Sequence, residues 1–199
     1  MGFDSVIRGR RSIRAYEPEP VPEGVIREIL NAARCSAPRP GSAPRSSATT
    51  PRRSTSRRRP SGRRRARPAA AFMNSRAATL EAAGEPSGPA AALARMAGLF
   101  GAPCRLVFGF DDCLAEAYAG FDTGSFVQNV CLAACDRGLG TCIVATVVRY
   151  PELLRRLLPG AEGKRFVVSV TLGFPEADSP ANTFERLRAD LDEIVTWAS

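Results

Sequence analysis

A chain of 199 residues that is 44% hydrophobic and 24% charged is long enough to bury one core, and we read it as a single domain over residues 1–199. Its net charge of +8 rests on 28 basic residues, all arginine except Lys164, and it has no histidine, which excludes Ser-His-Asp and Cys-His catalysis and any imidazole-built zinc site. No apolar run approaches the ~18 residues of a membrane span, and the first residues, MGFDSVIRGRR, lack both a signal-peptide core and, with Val6, a myristoylation pattern, so a soluble cytoplasmic protein is expected.

In chain order, the first notable stretch is RGRRSIRAYEPEP, where Arg10, Arg11, Ser12 and Arg14 gather cations and a hydroxyl ahead of a Pro-rich turn. A phosphate dianion needs such groups for charge-assisted hydrogen bonds, although short arginine clusters are also common as solvated patches. VPEGVIREILNAAR then places Val25, Ile26, Ile29, Leu30 and Ala33 on one face of a helix, with Pro22 near its start and Glu23 where the helix dipole favours an anion.

Residues 36–71 break this pattern. They hold 11 arginines with Ser, Ala, Pro, Thr and Gly, and no acidic, aromatic or branched apolar residue, so without them the chain is mildly acidic. Nothing in the segment offsets the roughly 1 to 2 kcal/mol of backbone entropy that each ordered residue loses, and it is expected to be disordered or loosely placed. The near absence of lysine points to GC-rich codons, whose out-of-frame reading yields the same Arg, Pro, Ala, Ser and Gly mixture. A compensated frameshift opening near Cys35 and closing between Ala70 and Arg76 therefore accounts for the segment, and codons 34 to 76 read in the other two frames test it. Residues 72–103 carry only a weak signal for Ala-rich helices.

CRLVFGFD (104–111) and KRFVVSVTLGF (164–174) are short apolar runs suited to buried strands, and the pair Asp111 and Asp112 is expected to end the first in solvent. Between them, GFDTGSFVQNVCLAACDRGLG has Phe126, Val127, Val130, Cys131 and Ala134 at helical spacing and a stop signal in Gly138, the residue type that caps helices. Gly138 and Gly140 then lead into TCIVATVV, either as a cap followed by a buried strand or as a close backbone approach to a phosphorylated or planar ligand. RYPELLRRLLPG reads as a short helix opened by Pro151 and closed by Pro159 and Gly160. The six cysteines form no CxxC pair and read as buried, reduced thiols; no metal site is expected, and helices alternating with strands give an α/β or α+β class.

RRSIRAYEPEPVPEGVIREILNAAR, FGAPCRLVF, DTGSFVQNVCLAACDRGLGTC, RYPELLRRLLPG and the segment from Lys164 to Trp197 together resemble the nitroreductase family of flavin enzymes in order and spacing. The resemblance implies an α+β fold with a central, mostly antiparallel sheet flanked by helices, and an intertwined homodimer with FMN at its interface. It also implies NADH or NADPH as co-substrate and a nitroaromatic, quinone or similar small-molecule acceptor served by a ping-pong mechanism. Carried across by position, Arg10, Arg11, Ser12 and Arg14 meet the phosphate, ribityl chain and pyrimidine edge, with Arg14 stabilising charge at N1 and O2. Arg188 falls at the phosphate, Gly140 at the glycine turn, and Ala145 and Thr146 where the family often has a Gly-Gly pair whose backbone N–H faces N5. The helix from Phe126 to Cys135 is implied to lie in the dimer core. The family loop and strand expected after residue 34 are absent. Two other readings stay open: a disordered basic arm gripping nucleic acid through residues 36–71, and a family relative that keeps the fold without the flavin.

Overall fold

The computed structural model describes residues 2–34, 98–158 and 160–198. The expectations for residues 36–71, and those for most of residues 72–103, lie outside them. Helix α1 (Phe3–Gly9) precedes the arginine segment, and α2 (Glu23–Ala33) follows it. After a 3-10 turn at Leu99–Gly101 come strand β1 (Cys104–Asp111), the 21-residue helix α3 (Glu116–Asp136) and strand β2 (Gly140–Val144). Helix α4 (Pro151–Leu157), strand β3 (Lys164–Gly173) and the short helices α5 (Pro180–Thr183) and α6 (Leu191–Ile194) complete the described chain. The α+β class holds, and no described helix is long and apolar enough to cross a membrane.

The strands form an antiparallel sheet in the order β1-β3-β2, so the longest strand is the middle one. With partners on both edges, β3 is buried continuously from Ser169 to Gly173, as a central strand should be. Helix α3 lies against the sheet and α2 packs on α3: Ile29 and Ala33 join Val127, Val130, Cys131 and Ala134 in the core, while Phe108 and Phe126 make an edge-to-face pair at 5.7 Å. The apolar face read for α2 is the one that packs, with Val25, Ile26 and Leu30 at its margin. The Phe126–Cys135 stretch thus contributes to the core of its own subunit, whatever part it takes in a dimer.

Gly138 ends α3 as expected. Its φ of +74° lets the Leu139 N–H reach back to the Ala134 carbonyl at 2.9 Å, the bonding of a left-handed helix cap. One expectation needs correction. Cys113 is exposed, because the chain turns away from the sheet after Asp111; Cys104 and Cys135 are half-buried, and only Cys131 and Cys142 among the described thiols are buried, all five being free. Asp111 and Asp112 end β1 exposed, as expected, and also take ion-pair partners there: antiparallel register sets Asp111 opposite Lys164, which pairs with it, and Arg165 lies 3.5 Å from Asp112. These are half-exposed pairs and contribute little to stability.

Candidate functional site

Residues 10–16 run from the end of α1 across the sheet beside the start of β2. Ser12 bridges Thr141 in parallel, and the Ile13 N–H donates to the Thr141 carbonyl at 2.9 Å. Gly140 makes this approach possible: a Cβ there would lie 2.6 Å from Ile13 Cγ1 and 2.9 Å from Ile13 Cβ. The glycine therefore makes room for the arginine segment itself.

Tyr16 fastens the other end. Its hydroxyl donates to the Ile13 carbonyl at 3.0 Å and shares a hydrogen bond with the Thr171 hydroxyl, 2.7 Å away in the middle strand. Burial pushes the phenol well above its ordinary pKa, against the opposing effect of the Thr171 hydrogen bond, and keeps it neutral.

The C-terminal segment closes over these residues. Arg11 donates to the Phe184 carbonyl at 2.6 Å, and its guanidinium stands 5.0 Å from the centre of the buried Phe184 ring; that of Arg14 stands at 5.8 Å. Arg186 donates to the carbonyls of Arg10 and Arg8, each at 3.0 Å, and Arg188 to the carbonyl of Leu187 at 2.9 Å. Desolvation, and after it the positive fields of Arg186, Arg14 and Arg188, lowers the pKa of Arg11, so these cations share one region. The Arg11 Nε is buried without a hydrogen-bond partner. A buried N–H donor left unpaired among like charges is unfavourable until an anion arrives, and an anion with several oxygens answers both the charge and the donor.

Arg11, Ser12, Arg14 and Arg188 are thus brought together. The Arg10 side chain faces another way: burial raises the pKa of Cys131 and Cys135 on α3, and the Arg10 charge opposes that rise in part, after the Thr141 hydrogen bond in the case of Cys131, while the Arg10 carbonyl receives Arg186. Ala145 and Thr146 lie beyond the far end of β2, about 13 Å along the strand from Thr141. Sequence reasoning missed Tyr16, Asn182, Phe184 and Arg186. The alternation of Asn182, Phe184 and Arg186 was a signal, but nothing local says what an extended segment faces.

A family model described as the nitroreductase family matches residues 7–174. The chain belongs to this family. It is 28% identical over 207 residues to 4-nitrobenzoate reductase of Pseudomonas putida, covering 94% of this chain and 91% of that protein. To the nitrobenzene nitroreductase of Ectopseudomonas oleovorans it is 27% identical over 220 residues, 98% and 96% of the two chains. Among solved structures, the FMN-dependent nitroreductase NfnB from Mycobacterium smegmatis in complex with NADPH matches with a TM-score of 0.75 at 21% identity, over 98% of this chain and 97% of that one. A nitroreductase with bound FMN from Bacteroides fragilis matches with a TM-score of 0.57 at 16% identity, over the whole of both. These structural likenesses establish the nitroreductase fold. Within it, residues 11–14 and 184–188 bring their guanidinium groups into one cationic region.

Proposed function

We propose that this nitroreductase binds FMN and uses it to pass reducing equivalents from NADH or NADPH to a nitroaromatic, quinone or similar acceptor in a ping-pong reaction. The convergence of Arg11, Arg14, Arg186 and Arg188 about Phe184, with the Arg11 Nε orphaned, carries this reading. It fits the phosphate of FMN: a dianion there neutralises neighbouring guanidinium groups and gives the buried donor its partner. When bound, FMN supplies the two-electron carrier.

The chain's own residues would hold and tune it. Arg11 and Arg188 bind the anionic tail, and Ser12 offers a hydroxyl beside it. Arg14 supplies a cation for the charge that gathers on the ring's pyrimidine edge upon reduction. Residues 145 and 146, a strand's length from the arginines, offer backbone to the ring end. The relatives named above are reductases of nitrobenzoate and nitrobenzene, which supports a nitroaromatic acceptor. A homodimer completing the site is part of the same proposal.

The test is a flavin titration of the purified chain, followed by NADH and NADPH oxidation with 4-nitrobenzoate and a quinone. Saturable FMN binding that weakens with added phosphate, and acceptor-dependent oxidation with parallel double-reciprocal lines, are expected. A folded protein indifferent to FMN would overturn the reading.

A further inference from the structure

Asn182, Phe184 and Arg186 alternate along the chain, and each reaches a different part of the arginine segment. The Asn182 side chain is 5% exposed and fully engaged: Oδ1 accepts the Arg14 N–H at 2.7 Å, and Nδ2 donates to the carbonyls of Ala15 and Glu176, both at 2.8 Å. Phe184 holds Arg11 through its carbonyl and underlies Arg11 and Arg14 with its ring. Arg186 grips the carbonyls of residues 8 and 10. The two segments run in opposite directions, as the pairing of 182 with 14 and 15, 184 with 11 and 14, and 186 with 8 and 10 requires. Asn182 lies in the last turn of α5 and Phe184, with φ −56° and ψ 150°, just beyond it, so the chain leaves the helix extended along the arginine segment.

We infer that Asn182 is a positioning residue for cofactor binding: its carboxamide pins the backbone at Arg14 and Ala15 so that the guanidinium groups of Arg11 and Arg14 meet over Phe184 before any anion arrives. The physical need is clear. Like charges spread apart when their backbone is loose, and two long side chains hold one geometry only at an entropic cost. A carboxamide suits the task because it accepts one backbone N–H and donates to two carbonyls at once. No single aspartate, serine or alanine reproduces that set. Asn182 itself makes no contact with the charge it organises, since its three bonds all go to main chain.

This inference rests on the FMN reading, and the experiment separates the two. FMN affinity is measured by flavin-fluorescence titration over a range of salt for the wild-type chain and for Asn182→Ala, with hydrogen exchange at residues 10–17 and the melting temperature followed in both. In the folded variant, FMN should bind about tenfold more weakly, because the competent arrangement becomes a minor one. Its salt dependence should be shallower, and the Arg14 amide should lose protection selectively. Unchanged affinity, salt slope and Arg14 protection would overturn the inference while leaving the FMN reading intact; a wild-type chain that binds no FMN would overturn both. Should Asn182→Ala fail to fold, Asn182→Asp, which keeps an acceptor for the Arg14 N–H but loses both donors, takes its place. Weakened FMN binding with accelerated exchange at residues 14–17 supports the inference, and wild-type values for both refute it.

Discussion

Gly140→Ala adds a single uncharged methyl group, yet it should disturb the cationic site. The new Cβ would lie 2.6 Å from Ile13 Cγ1, 2.9 Å from Cβ and 3.0 Å from Cγ2. Rotating Ile13 moves its γ carbons but leaves its Cβ in the way, and the hydrogen bond from the Ile13 N–H to Thr141 holds the backbone beside β2. The segment must therefore shift, carrying Ser12 and Arg14 with it. Overpacking of this kind costs about 1 to 3 kcal/mol. For a chain of this size that corresponds to a fall in melting temperature of about 3 to 10 °C. Differential scanning calorimetry with and without FMN measures the loss, and flavin titration should show weaker binding in the same variant. Ile13→Ala removes two of the three close atoms, so in the double variant the two costs should fail to add. A Gly140→Ala protein as stable as wild type, or costs that add fully, would refute the claim that Gly140 exists to admit Ile13.

Arg11→Gln should weaken FMN binding by about tenfold or more, the scale of a charge-assisted bond to a partly buried donor. Arg188→Gln, at an exposed position, should have a smaller effect that disappears as salt is raised, measured by the same titration. Tyr16, with its raised folded pKa, contributes stability that is present below the ordinary tyrosine pKa near 10 and lost as pH rises beyond it, because the unfolded chain releases the proton first. Urea unfolding between pH 9 and 12 should show a decline that is shallower by up to about 1.4 kcal/mol per pH unit in Tyr16→Phe. Among the described cysteines, iodoacetamide at neutral pH should label Cys113 first, being exposed, and Cys131 last, because burial both shields its thiol and raises its pKa. Peptide mapping of the labelled protein gives the order.

The elements were legible in the sequence wherever a local rule decides them. The face of α2, the Gly138 stop and the runs that became β1 and β3 follow from periodicity, a left-handed cap and β-branched content, which act over a few residues. The seven-residue α1 was missed because so short a helix carries almost no periodic signal, and its stability comes from Val6 packing, not from propensity. The arginines at 10 to 14 were legible as a cluster, and the family pattern added Arg188. Only the tertiary structure decided which cations converge: Arg186 joins Arg11, Arg14 and Arg188, while the charge of Arg10 is felt at Cys131 and Cys135. That outcome depends on contacts such as Asn182 to Arg14, made across 168 positions of chain, and no local preference encodes a hydrogen bond between segments that meet only when the sheet has formed.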